Sequence, residues 1–371
     1  MKTLINTAFF LFSLMLSAQE NDIWYLFDDE KTELWGYKDS EGNIKIEPKF
    51  FMVGDAEFKN INPVVEEASG EWEHYFLLKN GKKVGIDSLY WFDNAPDCER
   101  EGFIRFETRQ KMGLFNQQGK AVISAEYDHL TQVRNGLLIG LKEAQRKCWG
   151  EDEEYPHCEH WGWDGGKSFL IDTLNHVLVE DFTWKKAEYL DFYSLQISDV
   201  PNADTIRVNF RGVNGKYYSF IHNEKAFKQF LKTELLNNLS VENLIAHSYP
   251  NIIYKYKSQP SSKIIKKNYK HLSEKLASLL KKDTDYYICE EDYFFPPENS
   301  KKEWKQYYNY CSQWNIEKYP IMLIVLNYKA RGTSQDHYYF LKTNQGFQLI
   351  EVDITNKITH IAGSKNTLFT P

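Results

Sequence analysis

The densest run of chemically capable side chains is Cys148-Trp149-Gly150-Glu151-Asp152-Glu153-Glu154-Tyr155-Pro156-His157-Cys158-Glu159-His160-Trp161. Thiolates and imidazoles are zinc ligands, so Cys148, His157, Cys158 and His160 make one candidate donor set. Their spacing argues against it. Adjacent His157 and Cys158 cannot easily face one ion, and no Cys-x-x-Cys knuckle is present. Glu151 to Glu154 offer oxygens to a hard cation but lack the Asp-x-Asp-x-Asp-Gly spacing of a calcium loop. A third reading makes Cys148–Cys158 a disulfide that closes a small loop in an oxidising compartment, a closure worth at most about 3 kcal/mol.

Three cysteines remain. Cys289 and Cys311 are expected to bridge a strand end to a helix, which leaves Cys98 as the odd, buried thiol. A cysteine nucleophile needs a histidine base close in space, which spacing alone does not supply. His-Glu-x-x-His, Gly-x-Ser-x-Gly and a phosphate loop are all missing from the sequence. Hence no catalytic residue, metal-ligand set or cofactor is nominated. Lys255-Tyr256-Lys257 through Lys263 to Lys270 mixes positive charge with aromatics. It reads either as a face for an anionic surface or as a solvated lysine face on an amphipathic helix. Tyr286-Tyr287, Tyr293-Phe294-Phe295 and Tyr307-Tyr308-Tyr310 either stack on sugar rings or pack in the core.

The elements that must carry these residues come next. The chain has 371 residues, 42% hydrophobic, 16% aromatic and 26% charged, which excludes wholesale disorder. Its net charge of −7 makes it a poor nucleic-acid binder. Residues 1–18 read as a signal peptide: Lys2, then Ala8 to Leu16 as an apolar stretch too short to cross a bilayer, then small Ser17-Ala18. The mature chain is expected to begin near Gln19 and to be periplasmic or secreted, with no transmembrane segment. From Gln19 to Glu224 the net charge is −15 (38 acidic, 23 basic); from Lys225 to Pro371 it is +7 (14 acidic, 21 basic). This reversal, together with a change from short runs to helix-length patterns, places a domain boundary near 225. The two parts, 19–224 and 225–371, are expected to fold separately.

The first part repeats. Trp35-Gly36-Tyr37-Lys38-Asp39-Ser40-Glu41-Gly42-Asn43-Ile44-Lys45-Ile46-Glu47-Pro48-Lys49-Phe50 matches the frame from Met112-Gly113 through Asn116, Gly119 and Ile123 to Tyr127. Phe169 to Val179 keeps the frame with Asp172 and Asn175, and a degenerate copy is read at Val84-Gly85-Ile86-Asp87. Asp or Asn, two polar residues, then Gly is a type I turn followed by a left-handed residue, which is a common hairpin loop. Gly42, Gly119 and Asn175 are the expected left-handed positions, and on that reading replacing Asn175 with glycine is neutral or mildly stabilising. Trp35, Gly36, Ile46, Phe50, Gly113, Ile123 and Tyr127 are the expected repeat core. One hairpin cannot bury its apolar face alone, so several must associate.

Trp35-Gly36-Tyr37-Lys38-Asp39-x-x-Gly42-x-Ile44-x-Ile46-x-Pro48-x-Phe50 resembles the bacterial WG-repeat family over about residues 24–200. The resemblance implies a β-rich, non-enzymatic repeat array of short antiparallel hairpins, common among exported bacterial proteins. The second part reads as a smaller α+β domain, helices followed by a three-stranded antiparallel sheet. Its helices are expected over Ala226–Leu239, Val241–His247, Ile264–Leu280 and Glu298–Trp314. Its strands are expected over Ile321–Lys329, His337–Lys342 and Gly346–Val352. Functionally, the sequence favours an exported binding protein for a protein or glycan of the cell envelope. The competing reading is an envelope hydrolase whose site, near His337 with Asp336, Glu290 or Glu291, lies in the second domain.

Overall fold

The computed structural model describes residues 23–92, 94–150, 155, 157–158, 160–256, 259–261, 266–281, 284–291, 294, 301–309, 311–328 and 334–355. The signal-peptide reading, the Glu151–Glu154 cluster, Tyr293, Phe295 and Tyr310 lie outside these. The chain forms two compact units. The first is Met1–Glu188 with Phe210–Tyr218 and Tyr308–Trp314; the second is Tyr189–Asn209, Ser219–Tyr307 and Asn315–Pro371. The charge reversal near 225 thus falls inside the second unit.

The first unit is a succession of antiparallel hairpins. A seven-stranded sheet runs in the order Glu57–Phe58, Trp24–Asp29, Leu34–Lys38, Ile44–Val53, Ile61–Ala68, Glu71–Leu78, Lys83–Val84. A three-stranded sheet of Phe103–Thr108, Lys111–Asn116 and Ala121–Tyr127 follows. Next comes a four-stranded one of His129–Leu130, Leu137–Cys148, Trp161–Asp172 and Val177–Glu180. Neighbouring strands follow one another closely in sequence, as expected where hairpins repeat.

Among the described residues, five turns between residues 39 and 216 share one hydrogen-bond signature, which recurs once more at Asn309–Gln313. In each, a residue's N–H donates to the carbonyl four positions on, and the N–H three positions on donates back to its carbonyl. The turns start at Asp39, Leu78, Asn116, Asp172 and Gly212. The last-placed residues, Gly42, Gly81, Gly119, Asn175 and Gly215, all have positive φ between 67° and 90°. The side chains of Asp39, Asn116 and Asp172 accept two backbone N–H groups within their own turns, which fixes the type I geometry. The period is therefore near 40 residues, lengthened once by the long hairpin ending at Cys148 and Trp161. The copy read at Val84 is corrected: its turn lies earlier, at Asn80-Gly81, where Leu78 replaces the usual Asp or Asn and Asn80 Oδ1 accepts from Lys82. Gly85 and Asp87 instead form a separate tight turn closed by Ser88.

The two best copies superimpose in register. Trp35 pairs with Phe50 and Tyr37 with Ile46, while Met112 pairs with Tyr127 and Leu114 with Ile123, each with a bulge at the intervening glycine. Gly36 lies directly under the Ile46 carbonyl and Gly113 under the Ile123 carbonyl: a Cβ would sit 2.6 Å and 2.7 Å from those oxygens. Phe50, Ile123 and Tyr127 are buried, and half-buried Trp35 and Ile46 pack on the first cluster. Among the described residues, small cores succeed one another along the unit, around Tyr37 and Phe50, then Phe76 and Phe106, then Leu114 and Ile171. Nearest-neighbour cores of this kind are the way repeat arrays hold together.

Asn175 does more than tolerate its φ. Its Oδ1 accepts from Tyr127 Oη (2.6 Å) and its Nδ2 donates to Glu126 (2.7 Å), linking one repeat to the next. Glu66 ties strands together by accepting from Tyr75 Oη and pairing with Lys49 and Lys83 at 2.6–2.7 Å.

Two disulfides are present, Cys148–Cys158 and Cys98–Cys311. The expected Cys289–Cys311 pairing is corrected: Cys98 takes that partner, and Cys289 is a half-buried thiol. Closing 213 residues of chain contributes about 5 kcal/mol in the loop-entropy picture. The helix expected over Glu298–Trp314 is also corrected. Helix covers Lys301–Trp304, a 3₁₀ turn covers Lys305–Tyr307, and Tyr308–Trp314 joins the first unit. Asn309 Oδ1 accepts from the Cys311 and Gln313 N–H groups and Ser312 is left-handed, so local side-chain bonding displaces the helix.

The second unit contains a six-stranded sheet in the order Gln259–Ser261, Ser248–Tyr256, Gly346–Ile354, Ser334–Thr343, Ile321–Tyr328, Tyr286–Glu291. All pairs are antiparallel except Ser248–Tyr256 with Gly346–Ile354. The three strands expected at the C-terminal end are central to it. The other three were hidden in the basic stretch and in Tyr286-Tyr287, which lack strong apolar alternation. Helices Asn223–Phe230, Val241–Ala246 and Lys266–Leu276 supply Phe227, Phe230, Leu244, Leu272 and Leu276 to a core shared with Met322, Ile324, Phe340 and Leu349. Ser240 caps the second of these by accepting from the Asn243 N–H.

The glycines separate by environment, which gives a graded expectation. Gly42→Ala should cost about 1 kcal/mol, since only its φ resists. Gly119→Val should cost more, because Val84 and Leu78 lie 3.0–3.2 Å from its Cβ position. Gly36→Ala and Gly113→Ala should be the most damaging. Asn175→Gly should destabilise by about 1–3 kcal/mol through two lost hydrogen bonds, reversing the neutral expectation. Urea unfolding of the five variants checks the order; a neutral Asn175→Gly would remove its inter-repeat role.

Candidate binding surface

The long hairpin Leu137–Cys148 and Trp161–Asp172 carries half-buried Trp161 and Trp163 on one strand, with exposed Trp149 in the loop beyond Cys148. Arg146 faces Trp163 across the ladder, and Cys148 faces Trp161. The Arg146 guanidinium lies 4.6 Å from the Trp161 ring, 5.4 Å from Trp163 and 5.2 Å from Tyr155, and donates to the Tyr155 hydroxyl. Such stacking holds an arginine and its rings in fixed relative positions. Trp149 is 75% exposed, beside His160, and its ring lies over Gly162, where a Cβ would meet Nε1 at 2.8 Å. His129 continues the strip, 6.3 Å from Trp163 and 5.5 Å from Trp184.

The disulfide Cys148–Cys158 locks the end of this hairpin. Both sulfurs are thereby removed from the candidate zinc set, and exposed His157 and His160 remain without soft co-ligands. Burial and the Arg105 cation hold the His129 imidazole down at about 4, so it is neutral at physiological pH.

The second-domain cluster is not assembled. Asp336 is buried, ion-paired with Lys275, and accepts from the Thr355 N–H and hydroxyl. Successive strand residues point to opposite faces, so His337 turns away from Asp336 and pairs across the ladder with Asp353. Glu290 lies on the Asp336 face, where it accepts from Asn223 Nδ2, and Glu291 on the other. The basic stretch divides into strand and helix, with Lys255 paired to buried Glu351 at 2.6 Å. Phe294 and Tyr307 are buried around Trp304, and among the described residues of these three clusters Tyr286 and Tyr287 are the exposed ones.

Spacing did not single out Arg146, Trp163, His129 or Trp184. The available signal was the alternation of Lys142, Ala144 and Arg146 opposite Trp161 and Trp163, which marks one face of a two-stranded ribbon.

The description "WG containing repeat" matches residues 35–55 and 112–139. Those two segments are WG-containing repeats. The second lacks the tryptophan of its name, with Met112 in that place, yet repeats the register and the glycine approach of the first. The long hairpin begins inside the second WG-containing repeat, at Leu137. A comparison with curated proteins finds no match. Among solved structures, a domain of unknown function with a cystatin-like fold from Nostoc punctiforme is 16% identical. It covers 37% of this chain and 78% of its own, and its TM-score of 0.20 carries no argument.

Two groups should make the protein acid-sensitive. Lysine partners hold Glu66 down at about 2 against its burial, so its contribution is lost as pH falls below the ordinary glutamate range. His129, held at about 4, must gain a proton on unfolding below about 6.5, so its contribution is lost between those values. Stability by urea titration should therefore fall from pH 7 to pH 4. His129→Phe should flatten the upper part of that slope, and an unchanged slope would exclude His129 as a cause.

Proposed function

We propose that this is an exported, non-catalytic binding protein whose repeat array presents the Trp149, Trp161, Trp163 and Arg146 surface to a glycan of the cell envelope. The carrying observation is that tryptophan–arginine strip on a disulfide-locked hairpin. Aromatic faces bury apolar sugar faces, and flanking Arg146 and His160 supply hydrogen bonds to hydroxyls. Repeat arrays bind through extended surfaces rather than one reactive centre. Two disulfides are consistent with an oxidising compartment, and among the described residues no helix is long and apolar enough to cross a membrane. The smaller α+β module would act as a second, independently folding part.

N-terminal sequencing of native material should begin near Gln19; recovery of Met1 would end the export reading. Titrating the protein with a soluble N-acetylhexosamine oligosaccharide should quench tryptophan fluorescence saturably. Trp163→Ala should weaken binding about fivefold, one aromatic contact being worth about 1 kcal/mol. Quenching that survives both Trp149→Ala and Trp163→Ala would rule out this surface.

A further inference from the structure

Asp55 is a fully buried carboxylic acid that no established role explains. One oxygen, Oδ1, accepts from the Glu99 N–H at 3.1 Å. The other, Oδ2, has no hydrogen-bond partner among the described residues. A carboxylate oxygen of Asp55 and the sulfurs of Cys98 and Cys311 all lie within 4.8 Å of one another, with Cys311 Sγ 3.9 Å from Oδ1. The position is built, not incidental. Tyr37, in the first WG-containing repeat, donates to the Asp55 carbonyl and receives Asn62 Nδ2, while Asn62 Oδ1 accepts the Asp55 N–H.

The surroundings favour the protonated form of the acid. Burial is the largest cause, then the Glu99 and Asp97 carboxylates, with Arg100 opposing, and together they raise Asp55 well above the carboxylate range. Asp97 is itself ionised against Arg105, and Glu99 accepts from Asn60 and Ile61. Cys98 is 5% exposed whereas Cys311 is half-buried, so an external thiol reaches Cys311 first.

We infer that Cys98–Cys311 is a reducible redox site for dithiol reductants, with Asp55 the proton donor to the departing Cys98 sulfur. A thiolate of the dithiol bonds to Cys311 Sγ and the Cys98–Cys311 bond breaks. Its electron pair goes to Cys98 Sγ, which takes the Asp55 proton. The second thiolate of the reductant then attacks its own sulfur on Cys311, closing the reductant's disulfide and releasing Cys311, which takes a proton from water. Asp55 recovers its proton from solvent. Two electrons pass from the dithiol, which is oxidised, to the protein disulfide, which is reduced. Without a donor, the leaving thiolate would be stranded in a buried, acidic neighbourhood.

Cys148–Cys158 is the internal control, since it too joins a buried sulfur to a half-buried one. The full-length protein is treated with dithiothreitol at pH 7, quenched with a maleimide, and each cysteine pair is followed by peptide mass spectrometry. Asp55→Asn should slow opening of Cys98–Cys311 about tenfold and leave Cys148–Cys158 unchanged. An unchanged or faster Cys98–Cys311 rate overturns the assignment. The wild-type pH profile tests it independently of how the variant folds. Divided by thiolate concentration, the Cys98–Cys311 rate should fall as rising pH ionises Asp55, while the control stays flat. Parallel profiles overturn it, as does recovery of Cys98 and Cys311 as thiols from protein isolated without reductant.

Discussion

The two WG-containing repeats rest on one close approach, a backbone carbonyl passing over a glycine. At Gly36 and Gly113 a methyl group would overlap the oxygen of Ile46 and Ile123. That approach lets the third strand of each repeat bulge over the second. The bulge brings Phe50 or Tyr127 inward to fill the small core beneath. Remove the approach and the strands separate, the core loses its lid, and the neighbouring repeat loses the surface it packs against. The positive-φ residue in each turn serves the same end by returning the chain at the right register. Apolar burial then supplies stability, but only after these two backbone conditions are met.

Legibility followed the same division. Asp39, Asn116 and Asp172 betray their turns because a short polar side chain that accepts two backbone N–H groups is a local device, visible at a spacing of three or four. Leu78 and Gly212 make the same backbone turn without that side chain, so those two copies carry only Asn-Gly dipeptides and escape a frame built on Asp or Asn. In the second unit, helices with apolar residues at helical spacing were readable. Ser248–Tyr256 was not, since its strand character comes from pairing with Gly346–Ile354 nearly a hundred residues on. The family likeness was carried by residues 35–50, and the matching segments 35–55 and 112–139 are those where glycine, turn and aromatic coincide.

The surface residues were harder still. Arg146 and Trp163 become neighbours only through the ladder, and Asp55 meets Cys311 only through the fold. Cysteine pairing could not be settled by counting, because proximity in sequence favours Cys289 with Cys311 while the chain path favours Cys98. A small loop such as Cys148–Cys158 is the kind of pairing that spacing does reveal. Long-range chemistry requires the topology first.

The pairing of Cys98 with Cys311 also imposes an order on assembly. A chain that meets oxidant from its N-terminus onward presents Cys98, then Cys148 and Cys158, before Cys311. The nearest available thiol to Cys98 is then a wrong one, and a mispaired bond must be reshuffled before the native pair forms. The first unit, although it begins the chain, is finished only when residue 311 arrives. Its last step is therefore among the last events in the life of the nascent molecule, and a truncation anywhere before that residue leaves the array without its final fastening.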